Sequence, residues 1–173
     1  TYTIDVPSVT SITENDIFTS VNTNDTNKIT FTSTDTNPVT VVLSVSYGRL
    51  KILSKTGLTV VGDQTSTLTL TGSVSSLSTA LSTIDNIFYQ SNSNFSGIDT
   101  LTANVNSGSA TDSTSLTVLG DNDAPTLTNV PVEKTVNETS TNNAVFDSTF
   151  AIADPDIAGY TMQANLAVSH GTL

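Results

Sequence analysis

The chain of 173 residues carries 16 acidic and five basic side chains, which give a net charge of −11, and it contains no cysteine. This charge makes nucleic acid and anionic membranes poor partners and multivalent cations good ones. Without cysteine, thiol catalysis, disulfides and thiolate metal sites are all excluded. Thr, Ser, Asn and Val dominate the composition, and Thr and Val favour β-structure over helix. The composition therefore indicates a folded β-protein.

The sequence contains an internal repeat. Residues 43–50, LSVSYGRL, return as residues 166–173, LAVSHGTL, at an offset of 166 − 43 = 123. The segment that contains Glu14 returns around Glu138, at an offset of 138 − 14 = 124. We therefore expect modules in tandem. A complete module with its linker is expected over residues 1–122, and the N-terminal part of a second, truncated module over residues 123–173.

Alternating apolar residues predict the strands of the first module in chain order. The first strand runs through residues 2–6 and 9–13 and is interrupted at Pro7, which suits an edge strand or a bulge. After strands at residues 28–34 and 39–47, Gly48 permits a tight turn into a returning strand that begins with Leu50 and Ile52. The remaining strands are expected at residues 58–61, 66–71, 86–89, 99–106 and 113–118, the last two paired through a loop at Gly108.

One helix interrupts this pattern. Between residues 73 and 84 the apolar side chains Val74, Leu77, Leu81 and Ile84 are spaced by three and four, which is the helical period. Roughly seven to eight strands with one helical crossover indicate an all-β fold, a Greek-key antiparallel β-sandwich with one short helix. In the second module, strands are expected to begin near Thr126 and Ala144.

Catalytic side chains are scarce. The single histidine, His170, stands where the sister repeat has Tyr47, so an exposed residue before a turn is its simpler interpretation. No phosphate-binding glycine loop or nucleophile elbow is present. We therefore expect that the chain is not an enzyme.

The predicted strand order places acidic residues at one junction between the modules. Glu14 follows the first strand, the last strand leads to the sequence DND at residues 121–123, and the sequence DPD at 154–156 of the second module faces the same linker. Oxygen ligands in this number suit Ca²⁺, which takes six to eight of them. The alternative is that both motifs are only turns, because Asp and Asn favour turns. The expected calcium ligands are Glu14, Asp99, Asp121, Asn122, Asp123, Asp154 and Asp156.

These motifs occur in an order that resembles a known family. Residues 43–50, the segment LTLTG at 68–72, the helix at 77–81 and the segment FSGIDTLT at 95–102 are similar to the cadherin-like repeats of giant bacterial adhesins. The segment DNDAP at 121–125 resembles their linker, and DPD the paired-aspartate motif of the next repeat. The resemblance implies extracellular cadherin/Ig-like β-sandwich modules in series, stiffened by Ca²⁺ at each linker.

On this resemblance we expect a structural or adhesive repeat module of a large extracellular surface protein that supports cell attachment or biofilm cohesion. Its expected partners are neighbouring repeats, other copies of the chain and an unidentified surface or matrix ligand, without nucleic acid and without membrane insertion. The alternative is an assembly subunit of an extracellular filament, sheath or surface layer, with strand exchange between chains. A third possibility is a carbohydrate- or ice-binding module with a flat face of Thr or aromatic residues.

Overall fold

The computed structural model describes residues 1–9, 11–14, 17–137, 143–157, 159–170 and 172. The chain divides into two compact units, unit 1 at Thr1–Asp121 and unit 2 at Asn122–Leu173. Among the described residues both units consist of β-strands, with one helix in unit 1. The prediction of an all-β sandwich with one short helix is confirmed, whereas the tandem repeat stays a prediction.

The elements of unit 1 form two layers around one apolar core. In chain order they are β1 (Tyr2–Asp5), β2 (Ile12–Thr13), β3 (Thr19–Ser20), β4 (Thr30–Ser33), β5 (Val39–Ser44), β6 (Gly48–Ile52), β7 (Leu58–Val61), β8 (Thr67–Gly72), α1 (Val74–Ser82), β9 (Ile87–Ser91), β10 (Gly97–Val105) and β11 (Ala110–Leu119). One sheet has the strand order β2-β11-β10-β5-β8-β7, and the smaller sheets are β3-β9-β6 and β1-β4. Buried side chains alternate with half-buried ones along β5 and with half-buried or exposed ones along β10, so the inner faces of both strands supply the core.

The predicted first strand divides between two sheets at Pro7. β1 pairs antiparallel with β4, whereas β2 pairs in parallel with β11. Pro7 has no N–H to continue a ladder. Just before it, the N–H of Val6 donates to Oδ2 of Asp112 at 2.7 Å, which fixes the chain where it leaves the first sheet. The parallel pair departs from the all-antiparallel order that the sequence pattern predicts.

Gly48 has a different role from the predicted turn. The strand that it begins, β6, pairs with β9, while β5 pairs with β8 and β10, so residues 45–47 connect two sheets. A Cβ atom at position 48 would lie 2.3 Å from Cε2 of Tyr89 and 2.5 Å from the carbonyl oxygen of Gln90. The hairpin prediction is therefore wrong: glycine is required here because two strands approach closely.

The predicted helix is confirmed as α1. The side chain of Ser73 caps its N-terminus by accepting the N–H of Ser76, and Leu77, Ala80 and Leu81 face the core. Ile84, which the periodicity placed on the apolar face, lies beyond the last turn and is 40% exposed.

Buried asparagines complete the C-terminal end of α1. The side-chain amide of Asn22 donates to the carbonyl oxygen of Leu81 at 2.5 Å, and that of Asn86 donates to the carbonyl oxygen of Ala80 at 2.8 Å. These bonds satisfy carbonyls that a helix leaves unpaired at its end.

Unit 2 contains one antiparallel pair among its described residues, β12 (Thr126–Thr128) with β13 (Ala151–Ala153). The strand expected near Thr126 is confirmed, but the one expected near Ala144 is wrong. Before β13, Oδ1 of Asp147 accepts the N–H of Thr149 at 2.8 Å, which makes a turn of this segment and delays the strand.

Candidate metal centre

Glu14 lies where β2 and β11 both end. Because the two strands run parallel, their last residues meet, and the N–H of Glu14 donates to the carbonyl oxygen of Leu119 at 2.8 Å. Alternation along this segment buries Ile12, exposes Thr13 and buries Glu14, of which 6% is exposed. The strand order thus brings a buried carboxylate next to the start of the acidic linker.

The two carboxylate oxygens of Glu14 have different surroundings. Oε1 accepts the backbone N–H of Asp121 at 3.0 Å, whereas Oε2 is buried and has no hydrogen-bond partner among the described residues. Burying a carboxylate oxygen without a donor is costly, and such an atom calls for an explanation such as a bound ion. Oε2 therefore marks a candidate position for a cation.

Asp99 is 1% exposed and points between the sheets. Its Oδ1 accepts the N–H groups of Ser46 at 2.9 Å and Thr100 at 2.7 Å. Its Oδ2 accepts the N–H of Tyr47 at 2.9 Å and the hydroxyl of Tyr89 at 3.0 Å. Burial and the bond to Asp99 raise the pKa of Tyr89, which keeps that hydroxyl a donor. These donors engage both oxygens, so Asp99 fastens the β5–β6 connection, and metal binding by Asp99 stays a prediction.

Four expected ligands, Asn122, Asp123, Asp154 and Asp156, belong to unit 2. The N–H of Asp123 donates to Oδ2 of Asp156 at 2.5 Å, so the two acidic segments meet within this unit. The side-chain amide of Asn122 donates to the carbonyl oxygen of Asp123 at 3.1 Å. The N–H of Asp156 donates to Oδ1 of Asp154 at 2.9 Å, which is an Asx turn. The turn interpretation therefore has direct support, and metal binding by these residues stays a prediction.

In the parts of the chain that the structure describes, no three side chains of His, Cys, Asp or Glu form a group that could hold a metal ion. Calcium also accepts amide and backbone carbonyl oxygens, which such a group does not include.

The sequence pattern did not predict a second polar cluster, at the end of β10 opposite to Glu14. Here the hydroxyl of Tyr2 donates to Oδ2 of Asp35, and the side-chain amide of Asn106 donates to that hydroxyl at 2.9 Å. The Tyr2–Asp35 hydrogen bond raises the pKa of Tyr2 and lowers the pKa of Asp35. Residue spacing could not reveal this cluster, because its members lie on three separate segments.

The remaining expectations concern single residues and membranes. His170 is exposed, as expected, and Tyr47, which is aligned with it in the predicted repeat, stacks on Phe95 with 4.5 Å between ring centroids. No helix within the described ranges is both long enough and apolar enough to cross a membrane.

Comparison of the chain with protein-family models, with curated proteins and with solved structures gave no match.

Proposed function

We propose that this chain is a structural repeat module of a large extracellular surface protein, with Ca²⁺ bound at the end of unit 1 to stiffen the linker that follows. Stiff modules in series would support cell attachment or biofilm cohesion. The observation that carries the proposal is the buried, unpartnered Oε2 of Glu14. Because Oε1 of the same carboxylate holds the backbone of Asp121, a cation at Oε2 joins the sandwich to the residue with which the acidic linker begins.

The chemistry of the available ligands favours calcium. The chain has no cysteine, and its single histidine is exposed in unit 2, so the ligands are oxygens. Calcium tolerates irregular oxygen geometry, whereas Mg²⁺ demands a near-octahedral site. Glu14 and Asp121 are the ligands that we propose in unit 1. The contribution of Asn122, Asp123, Asp154 and Asp156 stays a prediction from the sequence.

A calcium titration of Glu14→Gln tests the proposal. Gln keeps an oxygen for the N–H of Asp121 but loses the charge that would bind the ion. Asp25→Asn is the matched control, because it removes one charge from an exposed turn residue. At calcium tenfold above the dissociation constant, native protein should gain about 1.4 kcal/mol in the free energy of unfolding. The control should gain as much, and Glu14→Gln should gain almost nothing.

Calorimetry and thermal unfolding in calcium or in EDTA provide the measurements. Binding heat that disappears in Glu14→Gln supports the site, and a change in maximum dimension by small-angle scattering would link it to stiffening. Absence of binding heat in the native chain, or a calcium response that Glu14→Gln preserves, would contradict the proposal.

A groove in unit 2 favours the alternative function. Its volume is about 540 Å³, and its lining is mainly apolar, with Leu127, Phe146, Phe150, Ile152 and Met162 among the residues. The described residues of unit 2 form only a two-stranded sheet, and such sheets are marginally stable in water. A strand from another chain would extend the sheet and cover the groove. We therefore infer a second candidate, an assembly subunit of an extracellular filament, sheath or surface layer.

Sedimentation across a concentration series separates the two candidates. Strand exchange predicts association that Ile152→Lys abolishes, because a charge in the groove opposes burial. Val132→Lys is the control, since Val132 is fully exposed outside the groove. A monomer at every concentration, or association that both variants share, argues against assembly through this groove.

A further inference from the structure

The basic side chains of this acidic protein are unevenly distributed. Residues 36–84 contain Arg49, Lys51 and Lys55 against the single acid Asp63, a net charge of 3 − 1 = +2. The rest of the chain has a net charge of 2 − 15 = −13. Three of the five basic side chains of the chain therefore lie in this stretch of the sequence.

Two of these cations are held by one aromatic ring. Arg49 and Lys51 lie two residues apart on β6 and share its outer face. The guanidinium carbon of Arg49 lies 5.6 Å from the ring centroid of Phe18, and Nζ of Lys51 lies 5.2 Å from it. Nε of Arg49 also donates at 2.8 Å to Oε1 of Gln90, which is 2% exposed. The ring and the buried amide thus fix two positive charges side by side.

These two cations do not form ion pairs with any carboxylate in the described ranges. Lys55 differs, because its Nζ lies 2.6 Å from Oδ2 of Asp63, and Lys28 lies 3.3 Å from Asp25. Arg49 is exposed and uses Nε for Gln90, which leaves its terminal amino groups to face a ligand. A guanidinium in this position can make a bidentate contact with a carboxylate or sulfate.

We propose that the patch of Phe18, Arg49, Lys51 and Gln90 binds an acidic polysaccharide. The positive patch complements the negative groups of such a polymer. Because Phe18 and Gln90 already restrain the cations, little side-chain freedom is lost on binding. The inference goes beyond the structural role proposed above and is independent of calcium.

Other anionic partners fit the patch less well. A nucleic acid carries one charge per about 1.7 Å of duplex, and the net charge of −11 repels so dense a polyanion. A stable protein partner covers about 800 Å² on each side, far more than one strand and a neighbouring ring provide. A single polysaccharide strand, with its charges separated by sugar rings, can touch this patch while avoiding the acidic remainder.

Binding of the intact chain to immobilised polygalacturonate, in EDTA and at low salt, tests the proposal, with neutral dextran as the reference surface. Arg49→Gln combined with Lys51→Gln should weaken binding at least roughly tenfold, because two charge contacts are lost. Lys28→Gln combined with Lys134→Gln removes the same charge elsewhere and should change the affinity less than about twofold. Phe18→Leu should fall between the two pairs, because it retains both cations but not the ring that restrains them. Circular dichroism verifies that each variant is folded.

The proposal is supported if salt weakens binding and if only the Arg49/Lys51 double variant loses it. The proposal is overturned if both double variants lose binding equally, if the chain binds dextran as well as it binds polygalacturonate, or if the native chain does not bind. Self-association in sedimentation that the Arg49/Lys51 pair abolishes would assign the patch to a second copy of this chain and would also overturn it. EDTA is present throughout, so failure here leaves the calcium proposal untouched.

Discussion

Replacement of Asp99 by Ala should be among the most destabilising single changes in unit 1. The carboxylate accepts the N–H groups of Ser46, Tyr47 and Thr100 and the hydroxyl of Tyr89, and it is almost completely buried. A hydrogen bond to a charged group contributes about 1.5–3 kcal/mol, and each donor that is left unpaired in the interior costs about 1–3 kcal/mol. Since these terms are not additive and water can enter, we expect a loss of about 4 kcal/mol in the free energy of unfolding.

Urea unfolding at neutral pH, followed by circular dichroism, measures this loss. Asp5→Ala is the control, because Asp5 is exposed on β1, and it should change the free energy by less than about 0.5 kcal/mol. If Asp99 only fastens the β5–β6 connection, Asp99→Ala lowers the free energy of unfolding by the same amount in EDTA and in calcium. A cost below about 1 kcal/mol would refute the hydrogen-bond account. A cost that appears only in calcium would indicate that Asp99 acts as a metal ligand.

Two further predictions concern packing and pH. Gly48→Ala should lower the free energy of unfolding by about 2–4 kcal/mol, because the new Cβ would overlap Tyr89 and the backbone of Gln90. The control Gly120→Ala should be nearly neutral, because its Cβ would meet the nearest atom at 3.4 Å. Equal urea midpoints for the two variants would contradict this prediction. Burial alone would raise the pKa of Asp63, but the hydrogen bonds from Lys55 and the N–H of Ile52 outweigh it, so the folded pKa lies below the ordinary 3.8. The ionised Asp63 therefore contributes to stability above pH 3.8, and this contribution is lost as the pH falls through the folded pKa. Asp63→Asn should make the free energy of unfolding depend less on pH in this acidic range. An unchanged pH dependence in that range would refute the prediction.

The sequence pattern predicted the elements of unit 1 well because most of them bury one face. β5, β8, β10, β11 and α1 all carry apolar side chains at the period of their own structure, so alternation or helical spacing identifies them. Pairing between distant segments was harder to predict. The division of the first strand between two sheets depends on Pro7 together with the hydrogen bond from Val6 to Asp112, whose partners are 106 residues apart.

In the candidate site, contacts between distant residues were likewise harder to predict from the sequence than the position of each residue on its strand. The predicted strand order correctly placed Asp99 on the strand beside β11. Side chains alternate between the two faces of a strand, so Asp99 lies on the same face as Leu101 and Ala103 and points into the core. The same parity argument, applied to Ile12 and Glu14, predicts a buried carboxylate at the end of β2. What spacing could not predict is that one oxygen of Glu14 is paired and the other is not, because that depends on the backbone of Asp121.

Anomalous diffraction from crystals grown with calcium examines the central claim directly, since it locates the ion itself. We predict a calcium peak about 2.3–2.6 Å from Oε2 of Glu14, with Asp121 as a further ligand. Ordered density without a peak at Oε2, in crystals saturated with calcium, would contradict the account.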